Sequence, residues 1–169
     1  MFGFRFIKAQ PTQYVIQYQS GRPQREGAGL SFWYFAPSTS LVVVPTASVN
    51  EPFIFPEVTS DFQEVTVQGQ ITYRIAEPKR TAELLDFSLN AKGVYGSEDP
   101  QKLSQRLIDQ VQVVMRAEVQ ALSLKDVLAA GELLVGLVAA ALHDHPVLQA
   151  LGLELLSLSI LAVKPKPET

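Results

Sequence analysis

The sequence lacks cysteine altogether and contains only two histidines in 169 residues. Disulfides, thiolate metal sites and cysteine nucleophiles are therefore excluded. His143 and His145 stand two residues apart, and side chains at that spacing do not share a helical face, so the pair predicts a polar helix end rather than a metal site. No G-x-S-x-G nucleophile elbow is present. We predict no enzyme activity, no metal and no cofactor.

Charge and long hydrophobic runs are also scarce. Charged residues make up 18% of the chain, and the formal net charge is −3. A general nucleic-acid binder needs a basic surface, so nucleic acid is not an expected partner. The longest apolar stretch, residues 133–142 (LLVGLVAAAL), is well short of the ~18 apolar residues of a membrane-spanning helix. The sequence predicts no spanning segment and no signal peptide.

The first eight residues, MFGFRFIK, combine aromatic and basic side chains. Phe2, Phe4 and Phe6 alternate with other residues, and Arg5 and Lys8 lie among them, with no acidic residue before position 26. Aromatic rings favour the membrane interface, and basic side chains favour an anionic surface. These five residues therefore predict a contact with an anionic membrane. In the alternative interpretation, this segment is an edge strand whose phenylalanines pack inward.

The first half of the chain predicts strands. Residues 14–18, 30–35 and 41–44 are rich in β-branched and aromatic residues, and residues 20–29 (SGRPQREGAG) indicate turns. In the run QEVTVQGQITYRI, every second residue is apolar, which is typical of a half-buried strand, and Gly69 interrupts the apolar side at a bulge or a close backbone approach. The side chains expected to face the core are Val65, Val67, Ile71 and Tyr73.

The second half predicts helices. From residue 101 the apolar positions follow the helical period, which places Leu107, Val111 and Val114 on the stripe that covers the strand. Shorter helices are expected after Pro78, after Ser123 and, beyond a break at Gly131, from Glu132 to about Leu142, before a last strand that follows Gly152. The predicted fold class is α+β, with helices packed on one face of a mainly antiparallel, twisted sheet.

Two apolar segments are candidates for self-association. Residues 133–142 are apolar nearly all round, which is typical of a buried helix and secondarily of a subunit interface. Residues 53–55 lie between Pro52 and Pro56 and predict an edge or a short strand. The four consecutive aromatics at 32–35 must alternate between the two faces of a strand, which favours core packing on one face and helix or partner packing on the other over base stacking. The self-association candidates are Leu133, Leu134, Leu137, Val138, Phe53 and Phe55.

Residues 13–165 resemble the SPFH domain, also called the band 7 or prohibitin-homology domain, of stomatins, prohibitins and flotillins. The resemblance is carried by three pieces in order: GAGL at 27–30, the segment 59–75 with its Thr-x-Asp opening and Tyr-Arg-Ile ending, and GLE at 152–154 running into LSI at 158–160. Asp61-Phe62 departs from the Asp-Gly of many members. The expected organisation is an N-terminal basic and aromatic segment (1–12), the SPFH domain (13–163) and a linker (164–169) that leads to a coiled coil beyond Thr169.

The resemblance implies a non-enzymatic scaffold at the cytoplasmic face of a membrane. Such domains form homo-oligomers, associate with lipid microdomains and control membrane proteases or channels, which would be the partners here together with the anionic membrane surface. Two alternatives stay open on the residues alone. One is a soluble module that binds a peptide or a small ligand on its β-face, and the other is a hydrolase with an unrecognised Ser-His-Asp triad.

Overall fold

A computed structural model describes residues 3–129 and 131–167. Its contacts divide the chain into two compact units, and each is built from separate stretches of sequence. Unit 1 lies within Met1–Ala47, Ile75–Leu103 and Ala150–Leu153, and unit 2 within Ser48–Arg74, Ser104–Gln149 and Glu154–Thr169. The elements are β1 (Phe4–Lys8), β2 (Gln13–Gln19), β3 (Arg22–Ala28), β4 (Ser31–Phe35), a 3₁₀ turn (Ala36–Ser38), β5 (Thr39–Pro45), β6 (Val49–Val58), β7 (Glu64–Ile75), α1 (Pro78–Leu84), α2 (Asp99–Gln120), α3 (Leu124–Ala129), α4 (Gly131–His143), α5 (Pro146–Leu151) and β8 (Leu153–Pro165).

The predicted α+β class and antiparallel pairing are confirmed, but the strands form three sheets rather than one. Their orders are β1-β4, β3-β2-β5 and β6-β7-β8. The turn prediction for residues 20–29 is wrong over most of its length, because β3 occupies Arg22–Ala28, and turns remain at Ser20-Gly21 and at Gly29. Pairing with β2 outweighs the weak strand propensity of β3, and an edge strand tolerates Pro23.

The core of unit 1 lies on one face of β2 and β5. Val15, opposite Val43, belongs to a buried cluster with Phe32, Leu41 and Ala9. The Arg25 guanidinium lies 4.5 Å from the centre of the Phe32 ring, a cation–π distance. This cluster anchors the inner face of β4, and therefore fixes which face of that strand points away from the core.

In unit 2 the predicted alternation of β7 is confirmed. Val65, Val67, Ile71 and Tyr73 are all buried, whereas Gln68 and its outward neighbours are not. Helix α2 packs on the buried side, as the hydroxyl contact of 2.5 Å between Tyr73 and Ser104 shows. Burial also raises the pKa of the Tyr73 phenol.

The helix stripe is confirmed at two of three positions. Leu107 and Val111 are fully buried, whereas Val114 lies at the margin and is only half-buried. A side chain added at Gly69 would collide with the carbonyl oxygen of Ser159 and lie 2.5 Å from the Phe53 ring. The close backbone approach predicted at Gly69 is therefore present, and the neighbouring strand β8 makes it.

The β6–β7 connection is tied to α3 through Asp61. The Asp61 carboxylate accepts the Thr59 hydroxyl and, at 3.0 Å, the backbone N–H of Leu124 at the start of α3. These hydrogen bonds hold the pKa of Asp61 below its ordinary value, and the bond from Thr59 has the largest effect. Phe62 follows with a positive φ of 60° and with 87% of its surface exposed. An aromatic residue therefore occupies a backbone position that favours glycine.

We expect Asp61→Asn to weaken the acid sensitivity of folding. The folded-state pKa of Asp61 is depressed, so its stabilisation is fully present above the unfolded value of about 3.8 and is lost as the pH falls through the lower folded value. The urea midpoint of the variant should lie below that of the parent at pH 6, and this difference between the two midpoints should be smaller at pH 3. Asp144→Asn, which alters a fully exposed carboxylate after α4, is the control. An equal gap at both pH values would contradict the role of Asp61.

Candidate functional site

The ribbon of β1 and β4 pairs aromatic residues across its two strands. Its register places Phe4 opposite Phe35 and Phe6 opposite Trp33. The ring centres of these pairs lie 5.2 and 5.1 Å apart. Residues directly opposite each other in an antiparallel pair share one face, and tilted aromatic pairs at this spacing attract each other. The four rings therefore form one continuous surface, which we call the aromatic face.

The aromatic face is turned to solvent. Phe4, Phe6, Trp33 and Phe35 are 56, 50, 61 and 41% exposed. Lys8, at the end of β1, has the same strand parity as Phe4 and Phe6 and lies opposite the exposed Ser31. Soluble domains seldom expose clustered large aromatics, and such a cluster marks an interaction site.

The opposite face of the ribbon packs onto unit 1. Ile7 and Phe32 are paired on this face and join the core cluster. Arg5, opposite Tyr34, also points this way, and its guanidinium donates a hydrogen bond to the Ala91 carbonyl oxygen. The sequence-based grouping of Arg5 with Phe4 and Phe6 is therefore corrected, because strand alternation places it on the other face.

The predicted membrane-contact residues thus separate into three groups. Phe4, Phe6 and Lys8 lie together at the aromatic face, Arg5 lies behind it, and Phe2 falls outside the described residues. The alternative in which these phenylalanines pack inward does not hold for Phe4 and Phe6, since half of each is exposed. The N-terminal reasoning missed Trp33 and Phe35. The signal that could have found them is the alternation within residues 32–35, which predicted that one face packs on the core and the other on a helix or a partner.

A cavity of about 570 Å³ opens on the inner side of the same ribbon. Arg5, Tyr34, Thr39 and Asn90 are the polar residues of its lining, and Leu41 and Leu89 contribute apolar surface. Its lining includes no acidic residue. The volume lies within the range of small-molecule sites. However, Arg5, the charged side chain of the lining, is already committed to a hydrogen bond with the Ala91 carbonyl oxygen.

The predicted self-association residues are mostly buried. Of the four candidates on α4, Leu134 and Val138 lie inside unit 2, whereas Leu133 and Leu137 are exposed by 55 and 37%. Phe53 and Phe55 stack at 4.5 Å on the buried side of β6. Both are corrected as interface candidates, because a strand between flanking prolines can still turn one side to the core.

The histidines serve a helix end. His145 Nδ1 accepts the Val147 N–H at 3.2 Å at the start of α5, and His143 is exposed. Within residues 3–129 and 131–167 no three His, Asp or Glu side chains are grouped so that they could hold a metal ion. Across the same part of the chain, no helix has the length and apolarity needed to cross a bilayer.

Comparison with protein families decides the classification. A model of the SPFH domain / Band 7 family matches residues 7–169. The chain belongs to the SPFH/Band 7 family. Members of the SPFH/Band 7 family are generally membrane-associated, non-enzymatic scaffolds. A search among curated proteins finds no match. In this SPFH/Band 7 domain, the matched region includes all of β4 and the end of β1, and thus half of the aromatic face.

Proposed function

We propose that this SPFH/Band 7 domain is a non-enzymatic scaffold that attaches to an anionic membrane surface and self-associates there to organise membrane proteins or lipid microdomains. The observation that carries the proposal is the exposed aromatic face with Lys8 at its end. The contact surface differs from the one suggested by sequence, since β4 supplies Trp33 and Phe35 and Arg5 is absent from it.

The composition of the aromatic face suits the boundary between lipid headgroups and acyl chains. Tryptophan and phenylalanine rings partition into this zone, and removing large exposed rings from water gives about 1.5–3 kcal/mol each. Each Lys or Arg near an anionic surface adds about 1 kcal/mol. No acidic residue occurs before Glu26, so repulsion from an anionic membrane is small along this part of unit 1.

Co-sedimentation with vesicles tests the proposal. We expect weak binding of the parent chain to anionic vesicles that decreases as salt increases, because the basic contribution is screened. The double variant Phe6→Ala/Trp33→Ala should lose at least roughly tenfold in partitioning, since two interfacial rings are removed. Lys8→Glu should reduce the preference for anionic over neutral vesicles.

The matched control is Phe62→Ala, which removes a more exposed phenylalanine from unit 2. It should bind as the parent does. Equal binding to neutral and anionic vesicles would contradict the proposed contact. Unchanged binding after removal of residues 1–8, or an equal loss in the control, would do the same.

The finer features of the proposed scaffold concern its partners and location. We propose regulation of a membrane protease or channel, from the cytoplasmic face, as the role of the assembled domain. What supports this is the family membership. The competing function, a soluble module for a peptide or a small ligand, is favoured only by the cavity beside Arg5. Vesicle binding that is lost when the aromatic face is changed would favour the membrane scaffold over the soluble binding module.

A further inference from the structure

The outer edge of β8 is open in the described structure. β8 is the terminal strand of β6-β7-β8 and is 13 residues long. At its two ends, backbone bonds connect it to the β7 side, from Ala76 N–H to the Gly152 carbonyl and from Lys166 N–H to the Glu64 carbonyl. No backbone bond between its outer edge and another described segment is present. Such an edge offers a row of unpaired N–H and C=O groups.

Three other sheet edges in the described structure are protected, those of β6, β5 and β3. Pro52 and Pro56 interrupt the donors of β6, the opposite edge of the same sheet. The edge of β5 is covered by residues 87–89, through bonds from Val43 N–H to Phe87 and from Leu89 N–H to Leu41. β3 carries Pro23 and three charged residues in seven. These are standard devices against strand addition.

β8 carries none of these devices along its length. It contains no proline before Pro165, and its charges lie near its two ends, at Glu154 and Lys164. Between them the strand is apolar or small, with Leu156 and Leu161 exposed by 45 and 65%. A long apolar edge of this kind is built to receive another strand.

We propose that β8 pairs antiparallel with β8 of a second copy of this chain, around a two-fold axis at Ser159. In this register Glu154 faces Lys164 of the second copy, and the reciprocal pair forms on the other side of the axis. Three of the four pairs between these charges and the axis are apolar, namely Leu155 with Val163, Leu156 with Ala162, and Leu158 with Ile160, and in the fourth Ser157 faces Leu161. Opposite charges and apolar pairs directly across an antiparallel ladder are stabilising.

Neighbouring registers lose this complementarity. An axis at Leu158 places Glu154 opposite Ala162, and an axis at Ile160 places Lys164 opposite Leu156. Glu154 also binds Arg74 of its own chain at 2.8 Å through one carboxylate oxygen, which leaves the other oxygen for the lysine of the second copy. Charge therefore selects the axis at Ser159.

This symmetry limits the assembly. Each chain has one β8, so the pairing is complete with two copies and does not by itself make a ring. A single strand pair is small beside the roughly 1,200–2,000 Å² of stable complexes, so we expect dimers at high concentration or where a membrane concentrates the chain. The inference deepens the self-association part of the proposed function, but it does not depend on membrane attachment.

The absence of cysteine makes the register testable. With Ser159→Cys, the single thiol of each copy meets its counterpart at the two-fold axis, within the Cα separation of about 4.4–6.8 Å that a disulfide requires. With Ser157→Cys, the matched control on the same strand, the two thiols lie about 13 Å apart along the ladder. Under mild oxidation we expect at least roughly tenfold more covalent dimer from Ser159→Cys than from Ser157→Cys.

A charge exchange provides a second measurement. Lys164→Glu should lower the yield of cross-linked dimer from Ser159→Cys, and Glu154→Lys combined with Lys164→Glu should restore it. Equal cross-linking at positions 157 and 159, or none above that of Ser40→Cys on β5, would overturn the pairing. Vesicle binding of the aromatic-face variants is measured separately, so failure of the dimer and failure of the membrane contact are distinguishable.

Discussion

Replacing Val67 with aspartate should leave unit 2 unable to fold. Val67 has no exposed surface and lies on the side of β7 that faces α2. An aspartate there would be an unpaired charge in an apolar core, which costs several kcal/mol or forces the side chain to protonate. Because small domains are stable by only about 5–15 kcal/mol, we expect loss of the cooperative thermal transition followed by circular dichroism.

The matched control is Gln68→Asp, one residue along the same strand. Gln68 points to the solvent side, opposite Ile54 of β6. The change should shift stability by about 0.5 kcal/mol or less, since the carboxylate stays hydrated. A Val67→Asp variant that melts within a degree or two of the parent would show that the assigned faces of β7 are reversed.

Gly152→Ala is the second change for which we expect a large effect. Gly152 ends α5 with a φ of 75°, and its carbonyl accepts the N–H groups of Ala76 and Glu77. An added Cβ would collide with the Glu77 carbonyl oxygen and lie 3.0 Å from the Thr81 hydroxyl. Thr81 is itself fixed by a hydrogen bond to Leu151, so neither neighbour can retreat. Backbone strain and overpacking together should lower the free energy of unfolding by about 3 kcal/mol or more.

Gly21→Ala separates strain from collision. Gly21 has nearly the same φ, 77°, but nothing lies near its Cβ position. The cost there should be about 1–2 kcal/mol, from the left-handed backbone alone. Chemical denaturation gives the free energy of unfolding of each variant. The difference between their two losses of stability measures the effect of the collision at Gly152. Equal destabilisation would mean that the backbone around Gly152 moves freely.

The parts of the fold that the sequence predicted are those where one strong pattern acts locally. β7 alternates at period two, and β8 begins directly after Gly152, so both were predicted correctly. β3 was missed because its stability comes from β2, about which its own residues carry no information. Helix α4 is apolar on nearly all sides, so its sequence does not show which side faces the core. Packing in the folded unit buries Leu134 and Val138 and leaves Leu133 and Leu137 exposed.

The candidate site was half predicted for a similar reason. Phe4, Phe6 and Lys8 belong to one short segment whose composition is distinctive. Trp33 and Phe35 join them only through the register between β1 and β4, which is a long-range property. Arg5 was assigned to the wrong face, because the composition of a segment gives its charges but not the side of the strand on which each one lies. The β8 edge could not be inferred at all, since an open edge is defined by the absence of a neighbouring strand.

The late position of β8 in the chain has a consequence for biosynthesis. About ninety residues separate the end of β7 from the end of β8, although the two strands are neighbours. At translation rates of 5–20 residues per second, synthesis of β8 is completed roughly 5–18 s after that of β7. During that interval the nascent chain presents an incomplete sheet, in which the edge of β7 that pairs with β8 is still open. Access to a chaperone while the ribosome is still at work should therefore govern how much of this protein reaches its native state.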